Sequence, residues 1–285
     1  MSRTILISGG TDGMGRAIAL ERLARGDRVV AIGSNPAKGK QLTASAGADA
    51  DRLRFIRADL SSVTEVERVV GEIGAAYDTL DALLLFANRT SRKRVQTAEG
   101  FEHTFALYYL SRYLFSHELV PLLARAARPV IVSIAGVGVQ KGAVHWDDPH
   151  LTRGYSVVGA QLQAGRANDL LGVSFAEEHG DKIKVVLYHP GFTRSGDLSP
   201  LGFLTRTAIR SLSVLAARPV RESIRPLHGF IDNPPAAPIT AVDRGRTLDL
   251  SLPSLDPGNA RRLARLTADL LAARARTDRD RGESS

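Results

Sequence analysis

A short apolar run that stops at two glycines and reopens as a helix strongly limits what the start of this chain can become. Thr4 to Ser8 is apolar with a β-branched bias and ends at Gly9-Gly10, the pattern of a buried strand entering a tight turn. Thr11-Asp12-Gly13-Met14-Gly15 follow, then an amphipathic stretch from Arg16 to Arg25 that stops at Gly26. Strand, glycine turn and helix start together make a phosphate site. The first helical N–H groups have no partner in the helix, and the helix start carries a partial positive charge. Glycines let the backbone approach a pyrophosphate and let the helix pack on the strand. An ordinary βα turn would also explain the glycines, but the strand before, the helix after and the place near the chain start favour a nucleotide loop. Its expected contacts are Gly9, Thr11, Asp12, Gly13, Met14 and Gly15.

From residue 1 to about 190, apolar runs alternate with helical patterns. This predicts an α/β fold, a Rossmann-type doubly wound parallel sheet with helices on both faces. The strands are placed at 4–8, 29–32, 53–57, 82–86, 130–134 and 183–188. Ser62 with Glu65 makes a capping box for a helix running to about Ala76. Longer helices are expected at 100–127, interrupted near Pro121, and at 154–179. The region 195–255 changes character, with Pro234-Pro235 and Pro238. It is expected to supply a helix near 201–217, a substrate lid and a late edge strand. A last helix is placed at 259–276 with proline in its first turn, and 277–285 reads as a frayed polar tail. The length of 285 residues fits one such domain.

The absence of cysteine excludes disulfides, thiolate metal sites and a cysteine nucleophile, and no metal centre is expected. No apolar run approaches the length of a membrane span, and the first apolar run is too short for a secretion signal. A cytoplasmic protein without a membrane partner is therefore expected. The net charge is +8, and 32 of the 38 basic residues are arginine. They are spread along the chain, mixed with acids and not interleaved with aromatics, which argues against a nucleic-acid surface. Attraction of anionic cofactors or substrates fits better.

Further segments line up in order. Asp59-Leu60 closes the third strand, and Ala87-Asn88 follows the fourth. Ser133-Ile134-Ala135-Gly136 ends the fifth, Tyr155-Ser156-Val157-Val158-Gly159 opens a helix, and His189-Pro190-Gly191-Phe192-Thr193 follows the sixth strand. With the Gly9-x-x-x-Gly13-x-Gly15 spacing, residues 3–195 resemble the short-chain dehydrogenase/reductase family. The insert Val144-His145-Trp146-Asp147-Asp148 is similar to its retinol-dehydrogenase-like branch. The resemblance implies an oxidoreductase acting on a small molecule, with Ser133 and Tyr155 as catalytic residues. Besides the glycine loop, it implies cofactor contacts from Asp59, Leu60, Ala87, Asn88, Pro190, Gly191 and Thr193. The family commonly pairs its fourth and fifth helices, so a homodimer or homotetramer is among the implied assemblies. Arg112, His117 and Arg166 put polar groups on those helices.

The family's tyrosine is followed four residues later by a lysine that holds the nicotinamide ribose and lowers the phenol pKa. Here that place is Gly159. The family's helix asparagine is matched by Tyr108, and its N-N-A-G by Leu85-Phe86-Ala87-Asn88. These departures imply that the lysine-centred relay is dismantled. A tyrosine without a nearby cation keeps a pKa of about 10, which suits a proton donor for reduction better than a base for oxidation. Lys141, Arg166 and His145 are candidates to replace the lysine, although a solvated surface or rim role explains each better.

After the second strand stand Gly33-Ser34-Asn35, with no acid to hold ribose hydroxyls and with Lys38 nearby. Ser34, Asn35 and Lys38 would suit a 2′-phosphate, so NADP(H) is expected over NAD(H). Three readings stay open. The first is an NADPH-dependent reductase of a carbonyl or enone on a bulky apolar molecule, for which Leu198, Leu201, Phe203, Leu204 and Ile209 would line the lid. The second is a non-redox dehydratase, isomerase or cyclase of secondary metabolism. The third is a catalytically silent NADP-binding protein.

Overall fold

The computed structural model describes residues 2–191 and 219–283. Among these, eight strands form one sheet in the order β3-β2-β1-β4-β5-β6-β7-β8. They are β1 (Thr4–Ser8), β2 (Arg28–Gly33), β3 (Leu53–Arg57), β4 (Ala82–Leu85), β5 (Val130–Ile134), β6 (Lys184–His189), β7 (Ile239–Asp243) and β8 (Arg246–Thr247). All neighbours pair in parallel except β7 with β8. The inner strands read as unbroken apolar runs because both their faces are covered. Ile5, Leu6 and Ile7 are buried, and so are Leu83, Leu84 and Leu85.

The helices are α1 (Gly13–Leu23), α2 (Pro36–Ala46), α3 (Val63–Ala76), α4 (Ser111–Glu118), α5 (Val120–Leu123), α6 (Val157–His179), α7 (Val220–Asp232) and α8 (Pro257–Glu283). One face of the sheet packs on α3, α4, α6 and α8, through residues such as Val69, Phe115, Ala167 and Leu263. The other packs on α1, α2 and α7, through Ile18, Leu42, Ile224 and Leu227. This is the doubly wound architecture expected from the alternation.

Several boundaries differ from expectation for local reasons. Helix α1 starts at Gly13, three residues early, because the Asp12 side chain accepts from the Gly13 N–H and caps it. Helix α6 starts only at Val157, since Ser156 adopts an extended backbone and its hydroxyl accepts from the Gly159 N–H. Tyr155 therefore stands outside the helix. The expected helix over 100–127 is broken into a turn at His103–Phe105, a π-helical stretch at Ala106–Leu110, α4 and α5, with Pro121 in the first turn of α5. Helix α8 runs on to Glu283, so residues 277–283 are helical rather than frayed. The late region supplies α7, the parallel β7 and the short antiparallel β8, while the helix expected near 201–217 lies outside the described residues.

A charged knot ties the beginning of the fold to its later part. Buried Arg22 of α1 meets Asp27 at 2.5 Å and Asp232, the last residue of α7, at 2.9 Å. Arg3 reaches the same Asp232 at 2.5 Å. Among the described residues, no helix is long and apolar enough to cross a membrane.

Candidate active site

The strand order reverses between β1 and β4, the point at which doubly wound sheets take ligands at the carboxyl ends of their strands. The glycine loop lies on one side of it. Gly9 has φ +71°, and a Cβ there would stand 2.9 Å from the Ala87 backbone nitrogen at the exit of β4. A Cβ on Gly15 would overlap the Gly9 carbonyl oxygen, so only glycine lets α1 start this close to β1. Thr11 is buried, and its hydroxyl fills the place where a Gly33 Cβ would sit. The end of β2 is thus packed directly on the loop. Gly13 and Met14 form the first turn of α1. A backbone cradle of this shape fits a dinucleotide pyrophosphate.

The residues expected to meet the adenosine half are partly committed to one another and to their own backbone. The Asn35 carboxamide oxygen caps α2, accepting from the N–H groups of Ala37 (2.9 Å) and Lys38 (3.3 Å). The Lys38 ammonium pairs with the Asp12 carboxylate, both on the surface. Ser34 is exposed beside them. Asp59 accepts from the Ser61 N–H (3.0 Å) and hydroxyl (2.8 Å), and Leu60 is buried. On the far side, Pro190 and Gly191 follow β6, with Gly191 at φ +84°. Thr193 and the lid residues Leu198, Leu201, Phe203, Leu204 and Ile209 lie outside the described residues.

The two expected catalytic residues are not brought into hydrogen-bond contact. Tyr155 donates its phenol proton to the Ser91 carbonyl at 2.7 Å, and burial pushes the phenol above its ordinary pKa, with the Glu102 carboxylate adding to the effect. Ser133 sits inside β5 with 6% of its surface exposed, and its hydroxyl accepts from Arg112 at 2.8 Å.

Arg112 is the residue that sequence reasoning misplaces. It reads as a polar group on a helix surface, yet it is fully buried. It donates to the Ile134 carbonyl (3.1 Å) and the Ala87 carbonyl (3.3 Å) as well as to Ser133, so it clamps the ends of β4 and β5. Its guanidinium lies over the Tyr108 ring, 4.7 Å from the centroid. Burial brings its pKa down to about 10, so it remains a cation at neutral pH. Tyr108 fills the asparagine-matched place with a buried ring, and the Tyr108 carbonyl, in the π-helical stretch, accepts from the Asn168 amide at 2.8 Å. The signal for Arg112 is its spacing: Phe105, Tyr108, Arg112 and Phe115 share one helical stripe.

The proposed substitutes for the lysine are placed elsewhere. Arg166 donates to the carbonyls of Val139, Gln140 and Gly142, holding the loop after β5. Lys141 and His145 are exposed on that loop and the insert after it. Beside Arg166, the Asp169 carboxyl is 2% exposed, and burial raises its pKa to about 7 despite the guanidinium 4.0 Å away. Asn88 pairs reciprocally with Gln161 of α6, at 2.9 and 3.2 Å. Gln161, Asn168 and Asp169 carry no motif that singles them out.

A family model described as short chain dehydrogenase matches residues 3–147. The chain is 26% identical over 229 residues to the polyprenol dehydrogenase of Mus musculus, covering 77% of this chain and 68% of that protein. It is 27% identical over 206 residues to retinol dehydrogenase 14 of the same organism, covering 68% of this chain but only 62% of that one. A short-chain dehydrogenase from Escherichia coli CFT073, solved in complex with NADPH, superposes with a TM-score of 0.63 at 18% identity, over 86% of this chain and 97% of that one.

Proposed function

Because the chain belongs to the short-chain dehydrogenase family, a family of oxidoreductases, we propose that it is an NADPH-dependent reductase of a carbonyl or enone on a bulky apolar small molecule. The observation that carries this reading is the Gly9–Gly15 cradle at the head of α1, next to a second strand that ends in Gly33-Ser34-Asn35 without an acid. The Lys38–Asp12 pair does not oppose a 2′-phosphate strongly. Exposed pairs of this kind are worth about 0–1 kcal/mol, and a phosphate dianion competes well for the lysine. The names of the polyprenol and retinol relatives support an apolar substrate, as does the apolar content of the sequence at Leu198, Leu201, Phe203, Leu204 and Ile209.

Bound NADPH would supply the hydride. The chain's part is to hold the substrate oxygen and provide its proton. Tyr155, a neutral phenol whose pKa burial pushes further up, is suited to donate a proton once substrate replaces the Ser91 carbonyl as its partner. Arg112 engages a lone pair of Ser133, which leaves the serine proton as a polarised donor.

The engagement of Tyr155 with the Ser91 carbonyl and of Ser133 with Arg112 favours a second reading, in which the same scaffold runs a non-redox step or only binds the nucleotide. Titration with NADPH and NADH, followed by energy transfer from Trp146 and the tyrosines, tests the first reading. Tight NADPH binding with weaker NADH is expected. Binding of neither cofactor would refute it.

A further inference from the structure

Gly159 stands at the start of α6 and leaves the lysine-matched place without a side chain of its own. A Cβ there would meet only the Ser156 hydroxyl, at 2.9 Å. Two residues on, Gln161 faces the exit of β4. The Asn88 amide donates to the Gln161 carboxamide oxygen at 2.9 Å, and the Gln161 amide donates back to Asn88 at 3.2 Å, with the Arg89 carbonyl at 3.5 Å. Asn88 directly follows Ala87, the backbone against which Gly9 is pressed. The amide pair is therefore anchored beside the phosphate loop, and it is exposed.

Two paired carboxamides leave unused capacity. Asn88 keeps one N–H, and each side-chain oxygen keeps a lone pair. A donor and acceptors at this spacing suit a vicinal diol, whose hydroxyls each donate and accept. We infer that Asn88 and Gln161 hold the ribose diol of the cofactor's nicotinamide half, in place of a charged side chain at position 159. This rests on the NADP(H) reading above. A neutral grip would retain the ribose without a positive charge near the Tyr155 phenol, so binding and acid–base tuning become separate properties in this chain.

The test compares two ligands, NADPH and adenosine 2′,5′-bisphosphate, which lacks the nicotinamide half. Binding of each is measured by calorimetry for the parent, Gln161→Ala and Asn88→Ala. Both variants are expected to bind NADPH about tenfold more weakly and the bisphosphate within twofold of the parent. Gly159→Lys added to Gln161→Ala is expected to restore most of the NADPH affinity. Equal loss for both ligands would show that the pair merely tethers α6, and unchanged NADPH affinity would remove its role altogether. Either outcome overturns the inference while leaving the cofactor assignment standing. A parent that binds neither ligand would sink the assignment and the inference together.

Discussion

Replacing Asp169 with asparagine should make the protein more stable, and increasingly so as the pH rises. The carboxyl is 2% exposed, and its nearest cation, Arg166, lies 4.0 Å away with three of its hydrogen bonds spent on loop carbonyls. Desolvation therefore wins, and the folded-state pKa rises from 3.8 to about 7. The sign follows from proton counting. Between these values the native state holds a proton that the unfolded chain has released, so stability falls as pH rises through that window. The slope is about 1.36 kcal/mol per pH unit. From pH 5 to pH 8, about two units of that window are crossed, which amounts to a loss of roughly 2.5 kcal/mol in the parent. An asparagine side chain does not titrate, so the Asp169→Asn curve should lack this slope. Urea unfolding at pH 5, 6, 7 and 8 measures the difference directly. Parallel stability curves for parent and variant, or a parent that gains on the variant with pH, would refute the argument.

Gly13 has φ +50°, so Gly13→Val should abolish NADPH binding while costing only about 1–2 kcal/mol of stability; unchanged affinity in calorimetry would remove the loop assignment. Ser34→Asp should weaken NADPH by placing a carboxylate against the 2′-phosphate, and an unaltered NADPH-to-NADH preference would count against that position. Arg112→Ala leaves three acceptors without their donor, on Ser133, Ala87 and Ile134. At about 1 kcal/mol or more each, this should cost at least about 3 kcal/mol in chemical denaturation. Once a carbonyl substrate is found, Tyr155→Phe should slow turnover by roughly two to four decades, and full retention of rate would make Tyr155 a packing residue.

The sheet was legible because its strands are short apolar runs set apart by glycine turns and capped helices, signals that act over a few residues. Asp12 shows the limit of such reading: it is visible as a loop residue, but only the backbone reveals that it caps α1 and pairs with Lys38. Ser133 and Tyr155 are visible as motif residues, yet their partners, Arg112 and the Ser91 carbonyl, lie 21 and 64 residues away in the chain. No local pattern encodes such contacts. Arginine also reads as a surface residue by type, and its place on an apolar stripe was the weaker signal that proved right.

The knot at Asp232 has a consequence for how the chain is made. Arg22 leaves the ribosome early with Asp27 close behind it, but its second counter-charge arrives 210 residues later. Ile18 and Leu23 of α1 likewise wait for Ile224, Leu227 and Ile231 of α7 to cover them. Nascent β1 and β2 can pair while one side of their helix stays bare and the cation beneath it is half-neutralised. Structure formation should thus remain incomplete until translation has passed α7. A nascent chain stalled before α7 would then leave Ile18 and Leu23 of α1 without their cover.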